Sequence, residues 1–123
     1  GIIGRADIAL DTFPYAGQTT TCECLWMGVP VVTVAGSSHV SRVGAGILTR
    51  AGLAELCAEG VGEYESIAVD LAGRVADLCR LRKDLRSRLR QSSVVSGSSV
   101  RELEGCYRAI WRRWCESKQE ERK

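Results

Sequence analysis

The tightest constraint on the fold is the run Pro30-Val31-Val32-Thr33-Val34-Ala35, which is nearly all apolar and β-branched. A strand that faces water on one side alternates polar with apolar residues. One without alternation is buried on both faces, as in parallel sheets covered by crossover helices. Helical patterns flank the run. Before it, Thr19 to Met27 carries Cys22, Leu25 and Trp26 at three- and four-residue spacing; Gly28 and Pro30 end it, with Gly28 suited to the positive φ that follows a helix. After it, Gly36-Ser37-Ser38 caps a stretch bearing Val40, Val43, Ile47, Leu48 and Ala51 that closes at Gly52.

The same alternation extends in both directions. Ala6 to Asp11 reads as a strand feeding the loop Phe13-Pro14-Tyr15-Ala16-Gly17. Leu53 to Ala58 reads as a short third strand, and Tyr64, Ile67, Ala68, Leu71, Val75 and Leu78 mark a helix after it. The order β-α-β-α-β-α implies an α/β, Rossmann-like layer with a parallel sheet. Three strands fall short of the roughly five or six usual in a doubly wound sheet, so residues 1–91 read as part of such a domain.

Arg80 to Arg90 forms an amphipathic helix whose basic face is expected to be solvated. Residues 92–118 hold a Ser/Gly-rich loop and a long helix opened by the Ser99–Glu102 capping-box pattern. Val100, Leu103, Tyr107, Ile110 and Trp114 are expected to pack as one stripe on the same domain, with Trp111 also serving packing and Arg101, Arg108 and Arg112 wet. Residues 119–123 read as a solvated tail.

Composition narrows the function classes. Of 123 residues 45% are hydrophobic and 26% charged, which excludes collagen-like and wholly disordered chains. A net charge of +2 is far from the excess of a dedicated nucleic-acid binder. The chain starts at Gly1 rather than Met, and no apolar run or basic leader suggests a membrane span or export signal. The six cysteines make no CxxC pair and the single histidine completes no metal site, so the thiols read as small buried hydrophobes. Cys22 lies near a helix start but has no basic neighbour to activate it.

The chemistry concentrates in Gly17-Gln18-Thr19-Thr20-Thr21-Cys22-Glu23, where the end of a strand meets the start of a helix. Open α/β sheets bind ligands in that crevice. Free amides and the positive end of the helix dipole favour an anion there, and the threonine hydroxyls add donors suited to a phosphate or pyrophosphate. Gly17 permits close backbone approach, and Glu23, one turn past Thr19, is placed to accept hydrogen bonds from a ribose diol. The same residues also read as a plain capping box, with Thr20 and Glu23 satisfying backbone donors and touching no ligand. His39 and Arg42 are secondary candidates, more simply read as a helix-start residue and a surface ion-pair partner.

The segment DIALDTFPYAGQTTTCECLWMGVPVVTVAG, followed by HVSRVGAGILTRAGL, resembles the C-terminal catalytic part of the O-linked N-acetylglucosamine transferases and their SPINDLY-like relatives. Glu63-Tyr64 and Tyr107-Arg108-Ala109-Ile110-Trp111 extend the likeness over almost the whole chain. The resemblance implies an inverting, metal-independent glycosyltransferase of the GT-B fold, with this chain as the second half of the nucleotide-sugar-binding domain. By that resemblance Thr19 and Thr20 bind the donor pyrophosphate, Gln18 lies beside the phosphates, and Glu23 holds the ribose. Gln18 stands where some members carry His, and Ala16 where they carry Asn.

The implied reaction is transfer of N-acetylglucosamine from UDP-N-acetylglucosamine to Ser or Thr hydroxyls in the intact protein, with no cofactor. Partners are then the nucleotide sugar and an acceptor protein reached through upstream regions, with no nucleic acid or membrane, in the cytoplasm. No residue of this chain is assigned as catalytic, and the fragment alone is expected to be inactive. Two alternatives stand beside this: a protein O-fucosyltransferase using GDP-fucose, and a non-catalytic interaction module.

Overall fold

The computed structural model describes residues 1–120; the expected Ser99 cap and the solvated tail at 119–123 lie outside the described side chains. Three short strands, β1 (Ala9–Leu10), β2 (Val31–Val34) and β3 (Cys57–Ala58), form a parallel sheet in the order β1-β2-β3. Ala9 pairs with Val31 and Leu10 with Val32; across the other edge Thr33 pairs with Cys57 and Val34 with Ala58. Val32 and Thr33 are wholly buried, so the apolar run is the central strand expected of it.

Among the described residues there are five helices, α1 (Thr19–Trp26), α2 (His39–Arg50), α3 (Val61–Gly73), α4 (Val75–Gln91) and α5 (Ser98–Glu120), of which α1, α2 and α3 pack on the sheet. Gly28 (φ 75°) and Gly52 (φ 70°) terminate α1 and α2 in the left-handed conformation that favours glycine. α2 opens on the Ser38 cap: the Ser38 hydroxyl accepts from the Ser41 amide, and the Ser38 amide donates to the Ser41 hydroxyl at 3.0 Å.

Several expectations are corrected. The third strand is only Cys57–Ala58, because Ala54–Leu56 forms a 3-10 turn that tucks Leu53 and Leu56 into the core. The helix read through Tyr64 to Leu78 is two helices. The chain breaks at Arg74 (φ −100°, ψ 64°), where the Arg74 amide closes on the Leu71 carbonyl. The break turns α4 back onto α1, so that Leu78, Leu85 and Leu89 join Leu25, Leu48 and Leu53 in one core. A fully buried leucine contributes about 1.5–3 kcal/mol relative to an exposed one, so this stripe anchors α4.

The basic face of α4 is not simply solvated. Arg82 donates from Nε to the Gly28 carbonyl (3.0 Å) and from Nη2 to the Gly4 carbonyl (3.1 Å), and it pairs with Asp7. Arg88 donates to the Gly52 carbonyl at 3.2 Å, and Arg86 lies 4.4 Å above the Trp26 ring. These arginines tie α4 to the segment before β1 and to both glycine-terminated helix ends.

The expected packing of the last helix is also overturned. Val100, Leu103, Tyr107, Ile110, Trp111 and Trp114 are all exposed; Trp111 and Trp114 stack on each other, centroids 5.1 Å apart, instead of entering the core. The stripe dictates a helix, but α1 and α3 are already packed against α4. The cysteines are mixed as well: Cys24 is buried, Cys22, Cys57 and Cys115 are partly so, and Cys79 and Cys106 are exposed. All six are free thiols.

Candidate functional site

The C-terminal ends of β1 and β2 feed the starts of α1 and α2, and between those starts lies a cavity of about 570 Å³. It is lined by Gly17, Gln18, Thr19 and Thr20 from the α1 side, by Thr12, Tyr15 and Ala16 of the preceding loop, and by His39, Val40 and Val43 of α2. Four of the five residues singled out from the sequence therefore meet here. The fifth, Glu23, is exposed one turn along α1 and borders an adjacent, largely apolar groove of about 640 Å³ that includes Thr19, Cys22, Trp26, Met27 and Leu89. Thr19 is the wall common to both.

A buried carboxylate shapes the cavity from behind. Asp11 Oδ1 accepts from the amides of Thr12 (3.0 Å) and Gly17 (2.8 Å), and Oδ2 accepts from the Thr33 hydroxyl (2.7 Å). The Asp11 carbonyl accepts from the Tyr64 hydroxyl at 2.9 Å, bringing α3 to the same point. The loop 12–17 curls around this carboxylate, and the Ala16 amide fastens it to the Val40 carbonyl at 3.1 Å. Gly17 is required by space: a Cβ there would lie 2.9 Å from Thr21 Oγ1 and 3.0 Å from Asp11 Oδ1.

The two helix starts differ in one decisive respect. α2 is closed by its Ser38–Ser41 capping box, whereas the residue before α1, Gln18, gives no side-chain cap. The first amide of this helix to find a backbone partner is that of Cys22, which donates to the Gln18 carbonyl at 3.1 Å. The capping-box alternative for Thr20 and Glu23 is thus not what forms. Among the described residues the side chains of Gln18, Thr19, Thr20 and His39 make no hydrogen bond or ion pair. Amides of an uncapped first turn, with hydroxyls and an amide group beside them, make a surface for a multiply charged oxyanion.

Other candidates fall away. Arg42 donates to the Gly36 carbonyl at 3.0 Å and lines a separate shallow pocket, facing neither this cavity nor a carboxylate. Burial, then the Glu23 carboxylate, pushes the Cys22 thiol above its ordinary range; burial, with Glu23 and Asp11, does the same to Cys24, and burial raises Cys57. A raised pKa disfavours the nucleophilic thiolate at these three cysteines. Sequence reading missed Asp11, Thr33 and Tyr64 as the cavity's support and read His39 as a plain helix-start residue. The signal for His39 was the repetition of the β-then-α unit, which puts the start of the second helix beside that of the first.

Comparison with known proteins identifies the family and the fold. The sequence profile of glycosyl transferase family 41 matches residues 3–101. A probable UDP-N-acetylglucosamine–peptide N-acetylglucosaminyltransferase SPINDLY of Hordeum vulgare is 54% identical over 111 residues, 89% of this chain and 12% of the relative. The Arabidopsis thaliana protein of the same name is 51% identical over 110 residues, with the same coverage. The chain thus spans about an eighth of the length of the curated relatives it matches. Among solved structures, a Thermobaculum terrenum O-GlcNAc transferase mutant, K341M, superposes with a TM-score of 0.81 at 46% identity, over 90% of this chain and 22% of that one. The expected architecture, an α/β half-domain of a GT-B glycosyltransferase, stands with that neighbour.

Proposed function

Because the chain belongs to glycosyl transferase family 41, we propose that it is the nucleotide-sugar-binding portion of a protein O-N-acetylglucosaminyltransferase, using UDP-N-acetylglucosamine as donor in the intact protein. The observation that carries this reading is the uncapped start of α1, whose first turn and unpartnered Thr19 and Thr20 hydroxyls line the cavity at the sheet's C-terminal edge. The donor diphosphate lies against those amides and hydroxyls, with Gln18 beside it. Glu23, on the neighbouring groove that Thr19 borders, accepts from the ribose hydroxyls.

The chemistry follows from the charge that develops. An acceptor Ser or Thr hydroxyl attacks the anomeric carbon, the bond to the diphosphate breaks, and negative charge grows on the leaving nucleotide. Donors already oriented toward that charge stabilise the transition state more than the ground state. The α1 start supplies leaving-group stabilisation, while the base and the acceptor contacts belong to other parts of the intact protein. No described helix is long and apolar enough to cross a membrane; a cytoplasmic setting is part of the same proposal.

Thr20→Ala in the complete protein tests the reading. Loss of one hydroxyl donor to a phosphate is expected to weaken UDP-N-acetylglucosamine binding about tenfold by calorimetry. With no cap bond to lose, unfolding free energy changes by less than about 0.5 kcal/mol. Unchanged affinity with a stability loss of about 1 kcal/mol would restore the capping-box reading. Titration with GDP-fucose in parallel assigns the donor: tight binding of that sugar alone moves the activity to O-fucosyl transfer.

A further inference from the structure

The α1 side of the cavity is accounted for by the reading above; the α2 side is not. His39 is the first residue of α2, exposed, and lines the same cavity as Gln18, Thr19 and Thr20. Neighbouring polar side chains are committed: Thr12 donates to the Tyr15 carbonyl, Thr33 to Asp11, and the Ser38 and Ser41 hydroxyls bond each other. His39 is not: among the described residues it makes no hydrogen bond or ion pair. Nor does its own helix use it as a cap, since Ser38 fills that role.

The charged and titratable groups around it are few. From the β1–α1 loop the Tyr15 phenol lines the cavity, and Asp11, behind Gly17, is occupied by Thr12, Gly17 and Thr33. From α1, Glu23 borders the other groove, and from α2 itself Arg42 is bonded to Gly36 and lines a different pocket. Among the described residues no carboxylate, lysine or arginine lines the cavity, and histidine is the residue type whose charge ordinarily changes near neutral pH.

We propose that His39 is a donor-binding residue: its imidazolium donates an N–H to a non-bridging oxygen of the nucleotide sugar's diphosphate, from the α2 wall of the cavity whose α1 wall holds Thr19 and Thr20. The assignment rests on the reading of the cavity as a diphosphate site and adds to it a second wall and a dependence on protonation. The neutral imidazole can already donate to the charged oxygen; a proton adds Coulombic attraction to the diphosphate, so binding tightens as the imidazole gains it. The affinity of the site for its donor therefore rises as pH falls through neutrality.

The nucleotide sugar itself makes a clean probe. Each of its phosphates carries one ester and one anhydride linkage and a single, strongly acidic ionisable oxygen, so its charge is constant between about pH 6 and pH 8, whereas the terminal phosphate of free UDP titrates in that interval. In the complete protein, UDP-N-acetylglucosamine is expected to bind about fivefold more tightly at the lower pH. His39→Gln should bind at both pH values with the weaker affinity and no slope, and His39→Lys should bind at both with the tighter one. If His39→Gln keeps the wild-type slope, or if the wild type shows none while Thr20→Ala still weakens binding, the role of His39 is refuted and the diphosphate site survives. If Thr20→Ala is also without effect at either pH, the reading beneath it falls as well.

Discussion

The rear and front of the cavity are built from similar residues put to opposite use. At the rear, Asp11, Thr33 and Tyr64 have their polar atoms engaged with one another and with the loop 12–17. At the front, the side chains of Gln18, Thr19, Thr20 and His39 have no hydrogen-bond or ion-pair partner among the described residues. Threonine occurs in both sets, so residue type does not separate structure from function here; saturation of hydrogen-bonding capacity does. Rear-wall substitutions should therefore appear first in stability, and front-wall substitutions in affinity.

The sharpest way to break this division is Asp11→Ala. It removes the common acceptor of two amides and a hydroxyl in a site that is 9% exposed, and burying such donors unpaired costs about 1–3 kcal/mol each. Partial relaxation toward water leaves an expected loss of about 3 kcal/mol in urea unfolding. Nucleotide affinity should fall as a consequence, because the Gly17 turn is no longer pinned. Asp11→Asn, which keeps acceptor and shape, should recover much of both. If Asp11→Ala abolished binding while leaving the urea midpoint unchanged, Asp11 would belong to the front.

Next in size is Gly44→Ala. Gly44 of α2 lies against the rear wall, and an added Cβ would collide with Asp11 Oδ2 and sit 2.9 Å from Thr33 Oγ1. Overpacking of this kind costs about 1–3 kcal/mol. Since α2 must shift to admit the methyl group, thermal unfolding should report about 2 kcal/mol, at the middle of that range. A neutral outcome would show that α2 slides freely over the Asp11 cluster, against the rigidity assigned to the rear.

How much of this was legible in the chain can be argued from two helices of like pattern. α4 and α5 both carry an apolar stripe and a basic face, and both were readable as helices from spacing alone. Leu78, Leu85 and Leu89 of α4 are buried, yet Leu103, Ile110 and Trp114 of α5 are exposed. Periodicity fixes which side of a helix is apolar and says nothing of whether a surface is left for it to cover. The α1 start was legible because its cues are local: a glycine, three threonines and the end of a strand. Asp11 was not, because its partners lie as far away as Thr33 and Tyr64, and only pairing of β1 with β2 and docking of α3 bring them together. The break at Arg74 was hidden for a related reason, since the three- and four-residue steps run on through it.

The smallest rear-wall effect expected is that of Tyr64→Phe, and it carries a pH signature. The phenol donates one hydrogen bond to the Asp11 carbonyl, and deleting it should cost about 1 kcal/mol near neutral pH. Burial, and then the Asp11 charge, raises the Tyr64 pKa above its ordinary value of 10.0. Below that value both folded and unfolded chains keep the proton, so its contribution is present in full. As pH climbs past it, the unfolded phenol ionises while the folded one stays protonated, which favours unfolding until the raised folded value is passed. The gap in urea midpoint between wild type and Tyr64→Phe should therefore narrow from about pH 8 to about pH 11, because the variant lacks the ionisation that penalises the wild type. A gap that stayed constant would mean that the phenol titrates as in the unfolded chain and that α3 does not seal the rear wall.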